Sequence, residues 1–466
     1  MPIRDLHLRQ LVADPYQTPM QLYPYINIIV IAAVVVVVLL NIVPMMVWFE
    51  RKGSAFIQDR LGPNRAVIAV GPLRLRLMGA LHNLADAIKL AFKEDIVPAS
   101  ANRFYFFLAP FLGTVVAFTT FAVIPFASPD LFRGVAGLED LNFQVLKLDA
   151  GVLWILAIAS FSTFSIMLAG WAGNSKFGLF GSLRAGAQMV SYELTLGLSI
   201  VGIVMIAGSL EPQALVKYQD TAIWPFPFII PRWGIILQPL SFVLFLTCIF
   251  AETNRTPFDL AEGESELVAG YHVEYSSLRF ALFFLAEYVN MTVGAMLLVV
   301  LFLGGWSIPF FSTESLLKHP DAVGLFMGVA GAIPAAVLAF AFFRLFHKRR
   351  SQPYWGDLRD HEAAVLGGIV SLKGFGLLVL GLVCWFSDSD RWPVWLGPTI
   401  VALFQIGFFM IKVLFFLWLF VWVRWSVPRF RYDQVMTLGW KVMLPLALAN
   451  VALTGLWLFC YDALFK

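Results

Sequence analysis

The chain is poor in charge. Only 14% of its 466 residues are Asp, Glu, Lys or Arg, against 59% hydrophobic, whereas a soluble domain is about a quarter charged. That excludes an ordinary water-soluble globule. Cysteine is scarcer still: Cys248, Cys384 and Cys460 lie far apart in or beside apolar runs, with no CxxC and no Cys/His cluster. A zinc or iron–sulfur site on this chain has no ligand set, so any electrons arrive from elsewhere. Neither a Rossmann glycine fingerprint nor a P-loop lysine motif occurs, so no nucleotide site is read, and nothing points to nucleic acid. The first 25 residues hold charges and prolines without a small-residue cleavage pattern, which reads as a mature N-terminus and not a signal peptide.

What is present is a series of apolar runs of about 20 residues, the length with which a helix crosses some 30 Å of hydrocarbon. Ten candidate spans follow: 26–48, 104–127, 148–172, 183–208, 232–252, 280–304, 322–346, 365–386, 398–423 and 438–460, with 365–386 interrupted by Lys373 and several glycines. Backbone groups in lipid must be satisfied inside the segment, so the fold class is all-α, a polytopic transmembrane helix bundle. Lys and Arg gather in loops 49–103, 347–364 and 424–437, which places those loops in the cytoplasm and both termini on the opposite side.

Loop 49–103 contains an element of its own. In "GALHNLADAIKLAFKEDIVP" Leu81, Leu84, Ala85, Ile88 and Phe92 keep helical spacing while Asp86, Lys89 and Lys93 line another face. This predicts an amphipathic helix at the membrane surface, although a linker merely resting on lipid has the same pattern.

Charges within spans are the sharpest chemical signal, since each costs at least about 2.5–3.5 kcal/mol at mid-bilayer. Glu193, Glu287 and Lys412 fall inside spans 183–208, 280–304 and 398–423. A buried Glu–Lys pair that only fixes packing would explain them; so would a proton relay built on carboxylates whose affinity for protons is raised by desolvation. The stretch "AETNRTPFDLAEGESELVAGYHVEY", 251–275, adds Glu252, Asp259, Glu262, Glu264, Glu266 and Glu274, broken by Pro257 and Gly263. Such crowding holds a proton on at least one carboxyl at neutral pH unless Arg255 or a basic neighbour neutralises it. A solvated acidic loop is the plainer reading, but the interleaved Phe258, Leu260, Leu267, Val268, Tyr271 and Val273 suit a buried or cavity-lining loop. Just inside the first span, "FERKGSAFIQDRLGPNR" combines a charged boundary at Glu50, Arg51 and Lys52 with an apolar patch around Phe56 and a turn at Gly62-Pro63-Asn64. It reads either as a positive-inside anchor or as one wall of an interfacial pocket for a lipid-soluble ligand with a polar head.

Six runs, "ERKGSAFIQDRLGPNR", "ADAIKLAFKEDIVP", "QMVSYELTLGLSI", "AETNRTPFDLAEGESELVAGYHVEY", "FALFFLAEY" and "VPRFRYDQVMTLGWKVMLPLALAN", closely resemble one family, the quinone-tunnel membrane subunits (H type) of bacterial NADH-quinone oxidoreductase, respiratory complex I. The resemblance implies a membrane subunit between the peripheral arm and the membrane arm of the complex in the bacterial inner membrane, termini periplasmic. Quinone is then the substrate, FMN and iron–sulfur clusters belong to partner subunits, and peripheral-arm subunits, neighbouring membrane-arm subunits and lipid are the partners. By motif match Arg51, Phe56, Arg60, Gly62 and Pro63 border a quinone tunnel, with Asp86 and Lys89 beside it. Glu252, Arg255, Asp259, Glu262, Glu264 and Glu266 form the loop that answers quinone reduction, and Glu193 and Glu287 continue a relay that couples it to proton translocation. The family core comprises eight spans, so residues 310–394 read as an inserted transmembrane hairpin between a first part, 1–309, and the last two spans, 395–466. A related membrane subunit of an energy-converting hydrogenase or ferredoxin-linked complex and a stand-alone ion transporter are the rival readings.

Overall fold

The computed structural model describes residues 23–465 apart from 61, 71–72, 76, 134, 136–140, 225–229, 351–361 and 388–391, and it describes backbone alone at 23–39, 69–70, 73–75, 222–224, 230, 264–265, 349, 362, 462 and 464–465. The expected N-terminal segment and most of the basic connector between the hairpin helices lie outside the described residues.

Each apolar run has folded as a helix. In chain order these are α1 (Tyr23–Ile57), α3 (Arg103–Phe121), α4 (Gly151–Ala172), α5 (Lys176–Ala207), α7 (Pro239–Glu252), α8 (Ser277–Phe302), α9 (Pro320–Arg350), α10 (Glu362–Phe386), α11 (Leu396–Ser426) and α12 (Leu444–Phe465). Shorter helices lie between them, the two longest being α2 (Leu81–Phe92) and α6 (Pro212–Gln219). Among the described residues eight helices are long and apolar enough to cross a membrane, and α7 is an apolar helix of only 14 residues. The chain is an all-α multi-pass membrane protein. Among the described residues strands occur in two short antiparallel ribbons in loops, β1 (Ile68–Val70) with β2 (Leu73–Leu75) and β3 (Ala222–Trp224) with β4 (Ile230–Pro231).

The helices begin and end where local chemistry allows. Ser175 accepts a hydrogen bond from Gly178 N to start α5, Gly208 takes a left-handed φ of 69° to end it, and Pro239 opens α7 at a position that lacks an intrahelical donor partner anyway. Before α12 the chain runs through a short helix, Tyr432–Thr437, and one π-helical stretch, Leu438–Met443, where Tyr192 donates its hydroxyl to Val435 O at 3.0 Å.

Helix α8 is the axis of the bundle: 72% of its apolar window is buried, against 11% for each of α9 and α10. It packs against α1, α3, α7 and α11, and Val289, Ala295, Met296, Val299, Leu301 and Phe302 are sealed from solvent. The α9–α10 pair packs tightly on itself and leans on the bundle chiefly through α11.

Candidate functional site

Two adjacent pairs of residues organise the site. On α1, Glu50 and Arg51 differ by one position, hence by about 100° around the helix; on α8, Glu287 and Tyr288 do the same. Arg51 and Tyr288 face a cavity of about 610 Å³ between α1, α2 and α8, whose other lining includes Val47, Asp86, Lys89 and Phe284. Glu50 and Glu287 face the protein interior.

The cavity is apolar with a charged rim, the composition expected of a site for a lipid-soluble ligand with a polar head. Its outer wall is α2, which turns its polar side inward and leaves Leu84, Ile88 and Phe92 exposed on the outside. Arg51 Nη1 pairs with Asp86 Oδ2 at 2.5 Å, and Asn83 donates to Pro44 O. At its other end α2 is fastened to α8: Ser277 donates to Leu90 O at 3.0 Å, and Arg279 pairs with Asp95 at 2.9 Å. The surface-helix reading of 81–92 thus holds, with the apolar stripe free to meet lipid.

Behind the cavity wall lies a charge cluster. The Tyr288 hydroxyl donates to Glu50 Oε2 at 2.5 Å, Glu50 Oε1 accepts from Arg255 Nη1 at 3.3 Å and is also paired with Arg424, and Arg255 Nε stands 2.7 Å from Glu287 Oε1. Arg255 also lies 4.5 Å over the ring of Tyr288. Glu287 in turn lines a small interior cavity of about 40 Å³ together with Glu252, Asn254, Glu262, Tyr271 and Asn290. At about 10–15 Å³ per enclosed water position, that space is large enough for about three or four waters among polar partners. Glu193, on α5, accepts a hydrogen bond from Ser160 and stands within electrostatic reach of Glu252.

The 251–275 stretch is for the most part a compact buried loop and not a solvated acidic one, although Glu266 and Val268 are exposed. Gln188 Nε2 clamps its start by donating to Ala251 O at 2.7 Å and Phe258 O at 2.8 Å, and Phe430 N bonds Pro257 O at 3.1 Å. Gly270 is required at its far end: its φ is +58°, and a Cβ there would stand 1.7 Å from Ala261 O. Asp259 pairs with Arg429 at 2.8 Å, yet burial, reinforced by the neighbouring Glu262, raises its pKa to about 6. His272 lies 3.9 Å from Glu262, and Glu266 pairs with Arg184 at 2.5 Å near the surface. The side chain of Glu264 lies outside the described residues, which place only its backbone at the start of a four-residue helical turn, Glu264–Leu267.

Not every sequence candidate joins this arrangement. Phe56 and Arg60 are exposed, and neither they nor Gly62 and Pro63 line the cavity; the Gly62-Pro63 turn instead packs closely on Gly79. Lys412 is held by backbone and not by Glu193 or Glu287. Lys412 donates to the carbonyls of Leu303, Gly305 and Ser307 at 2.7–2.9 Å, closing the C-terminal end of α8. Its electrostatic partner is Asp220, which lies outside the spans and whose pKa is raised by burial. Tyr288, Glu50, Arg424 and Gln188 are the participants that sequence reasoning missed; Glu50 and Tyr288 each stand beside a residue it did single out.

The NADH dehydrogenase family pattern matches residues 29–455, nearly the whole chain. The chain belongs to that family. It is similar to the H subunit of the Bdellovibrio bacteriovorus NADH-quinone oxidoreductase, 37% identical over 427 residues that cover 89% of this chain and 91% of the relative. The H subunit of the Salinibacter ruber enzyme is 37% identical over 419 residues, 90% of this chain and 92% of that one. The eighth-numbered subunit of the Rhodothermus marinus NADH-quinone oxidoreductase is 39% identical over 412 residues, covering 88% and 91%. The α1, α5, α7–α8 and α11–α12 segments that build the site all lie within the family match.

Proposed function

We propose that this chain is the quinone-tunnel subunit of a proton-translocating NADH:quinone oxidoreductase. That it is a membrane subunit of an NADH-quinone oxidoreductase complex follows from its family and its relatives. The finer reading rests on one observation: Tyr288 belongs at once to the wall of the large cavity and, through its hydroxyl, to the Glu50–Arg255–Glu287 cluster.

Quinone enters sideways from the bilayer between α1 and α8, beneath α2, with its tail against the apolar wall and its head towards the charged side. The reductant is supplied by iron–sulfur clusters on peripheral-arm subunits, FMN sits further along that arm, and this chain contributes no redox group. A charge change at the quinone head alters the balance felt by Glu50 and Arg255, and Arg255 is shared between Glu50 and Glu287. Weakening one ion pair strengthens the other, because a single guanidinium divides its field between two carboxylates. Protons then redistribute among Glu287, Glu252 and Glu262 around the interior cavity and on towards Glu193, which leads to the neighbouring membrane-arm subunits. The basic loops and the quinone cavity face the bacterial cytoplasm, and both termini face the periplasm.

The test is a paired measurement on the assembled complex in sealed vesicles. For Glu287→Gln and Glu193→Gln, with assembly checked, NADH:quinone turnover and ΔpH formation are compared with wild type. Loss of about tenfold or more in ΔpH formation is expected, the scale on which removal of a proton-transferring group registers. Turnover and ΔpH both near wild type would mean that these carboxylates only pack the bundle.

A further inference from the structure

The hairpin α9–α10 takes no part in the site, and it is far more exposed than the rest of the bundle. It nonetheless has a built feature. Along the seam between its helices runs a groove of about 410 Å³, floored by Ala332, Ala336, Ala339 and Gly374 and walled by Phe340 and Phe375. The small side chains give the groove depth, and the rings give it sides.

Helical spacing carries this groove into charge. Ala332, Ala336, Ala339 and Phe343 form one stripe at three- and four-residue intervals, and the same intervals lead next to His347 and Arg350, both exposed. Seven residues separate Phe343 from Arg350, about 10 Å along the axis. Arg344 and Lys348 flank that stripe, whereas the one acidic residue of α9, Asp321, stands at its opposite end. By sequence, Asp357, Asp360 and Glu362 come later, on the approach to α10. An apolar slot that opens onto basic side chains, with Arg350 the fixed positive charge, at the boundary of a charge-free run matches an amphiphile with a hydrocarbon chain and an anionic head.

We propose that this face of the hairpin binds an anionic phospholipid, with one acyl chain in the α9–α10 groove and the phosphate against His347 and Arg350. The continuation of the groove into a cationic stripe favours this occupant over a transmembrane helix from elsewhere in the complex, which would fill an apolar seam but offer nothing anionic to the His347–Arg350 end.

The experiment uses the intact complex in vesicles of phosphatidylcholine doped with a photoreactive phosphatidylglycerol or, separately, a photoreactive phosphatidylcholine, each with the reactive group in the acyl chain. Labelled peptides are mapped by mass spectrometry. Labelling of 332–343 and 371–378 is expected to favour phosphatidylglycerol by about threefold or more, the scale of a few basic contacts to an anionic lipid. His347→Gln with Arg350→Gln should abolish the preference while leaving some labelling, and Ala336→Trp should fill the slot and remove labelling by both lipids. Equal labelling by the two lipids in the wild type, a preference that survives the double variant, or the absence of labelling by either lipid in this groove, as another protein chain filling it would give, would each overturn the proposal.

Discussion

At the scale of single residues, the wall between the large cavity and the interior is one residue thick. Position 50 faces inward and 51 outward on α1; position 287 faces inward and 288 outward on α8. Tyr288 joins the two sides because its ring belongs to the cavity and its hydroxyl reaches Glu50. Tyr288→Phe keeps the ring and removes the donor, leaving Glu50 with arginine partners alone. Losing a hydrogen bond to a buried charged group costs about 1.5–3 kcal/mol, so NADH:quinone turnover should fall by roughly tenfold to a hundredfold in a complex that still assembles. Unchanged turnover and unchanged KM for quinone would show that the hydroxyl does no more than pack. This scale also marks the limit of the sequence. Composition located Glu287 because a carboxylate inside an apolar run is expensive. It could not tell which neighbour shares the site, since Glu50 reads equally well as a boundary charge until the rotation of α1 against α8 is known.

At the scale of elements, the buried loop between α7 and α8 behaves as a pH-sensitive part. Asp259 has its pKa raised from 3.8 to about 6 by burial and by Glu262. A carboxyl whose folded pKa exceeds its unfolded value favours the folded loop in its protonated form. That contribution is complete below the unfolded value and disappears as pH rises through about 6. Amide exchange across 255–275, corrected for its intrinsic pH dependence, should therefore accelerate between pH 5 and pH 7.5, and Asp259→Asn should flatten the change; a loop equally protected at both pH values would contradict the assignment. The far end of α8 supplies a second prediction. Lys412 satisfies three carbonyls there, and Lys412→Met strands them. At about 1–3 kcal/mol per orphaned buried group, the thermal midpoint of the assembled complex should drop by several degrees with the KM for quinone unaltered. A midpoint equal to wild type would mean the cap is dispensable. Element existence was legible throughout, since ten apolar runs became ten helices. The acidic stretch was legible as buried from its interleaved apolar residues, but its closure depends on Gln188, Arg429 and Gly270, contacts from distant segments that no local pattern announces.

At the scale of the whole molecule, the candidate site gathers around α8 and away from the hairpin. The charge cluster, both cavities of the site and the Lys412 cap all touch α8 or the loops at its two ends, whereas the described parts of α9 and α10 reach none of them. The root of the hairpin is structural: Leu316 and Val323 share a satellite core with Leu131, Phe132, Val401 and Ala402, and Phe326 meets Phe404 with ring centroids 5.5 Å apart. Beyond that root the two helices touch chiefly each other. A Cβ on Gly328 would lie 2.7 Å from Gly381 Cα, so the two helices hold each other closely there. Gly328→Leu, which forces them apart at this crossing, should leave the root packed and the complex assembled, with NADH:quinone turnover within about twofold of wild type, because distant sites that share no partners contribute independently. A large loss of turnover in an assembled complex would mean that motion of the hairpin reaches α8 through α11, the helix that touches both. The location of α11 makes that alternative concrete: Lys412 holds one end of α8 and Arg424 pairs with Glu50 beside its middle, so a displacement of this single helix would be felt at the cap and in the charge cluster together.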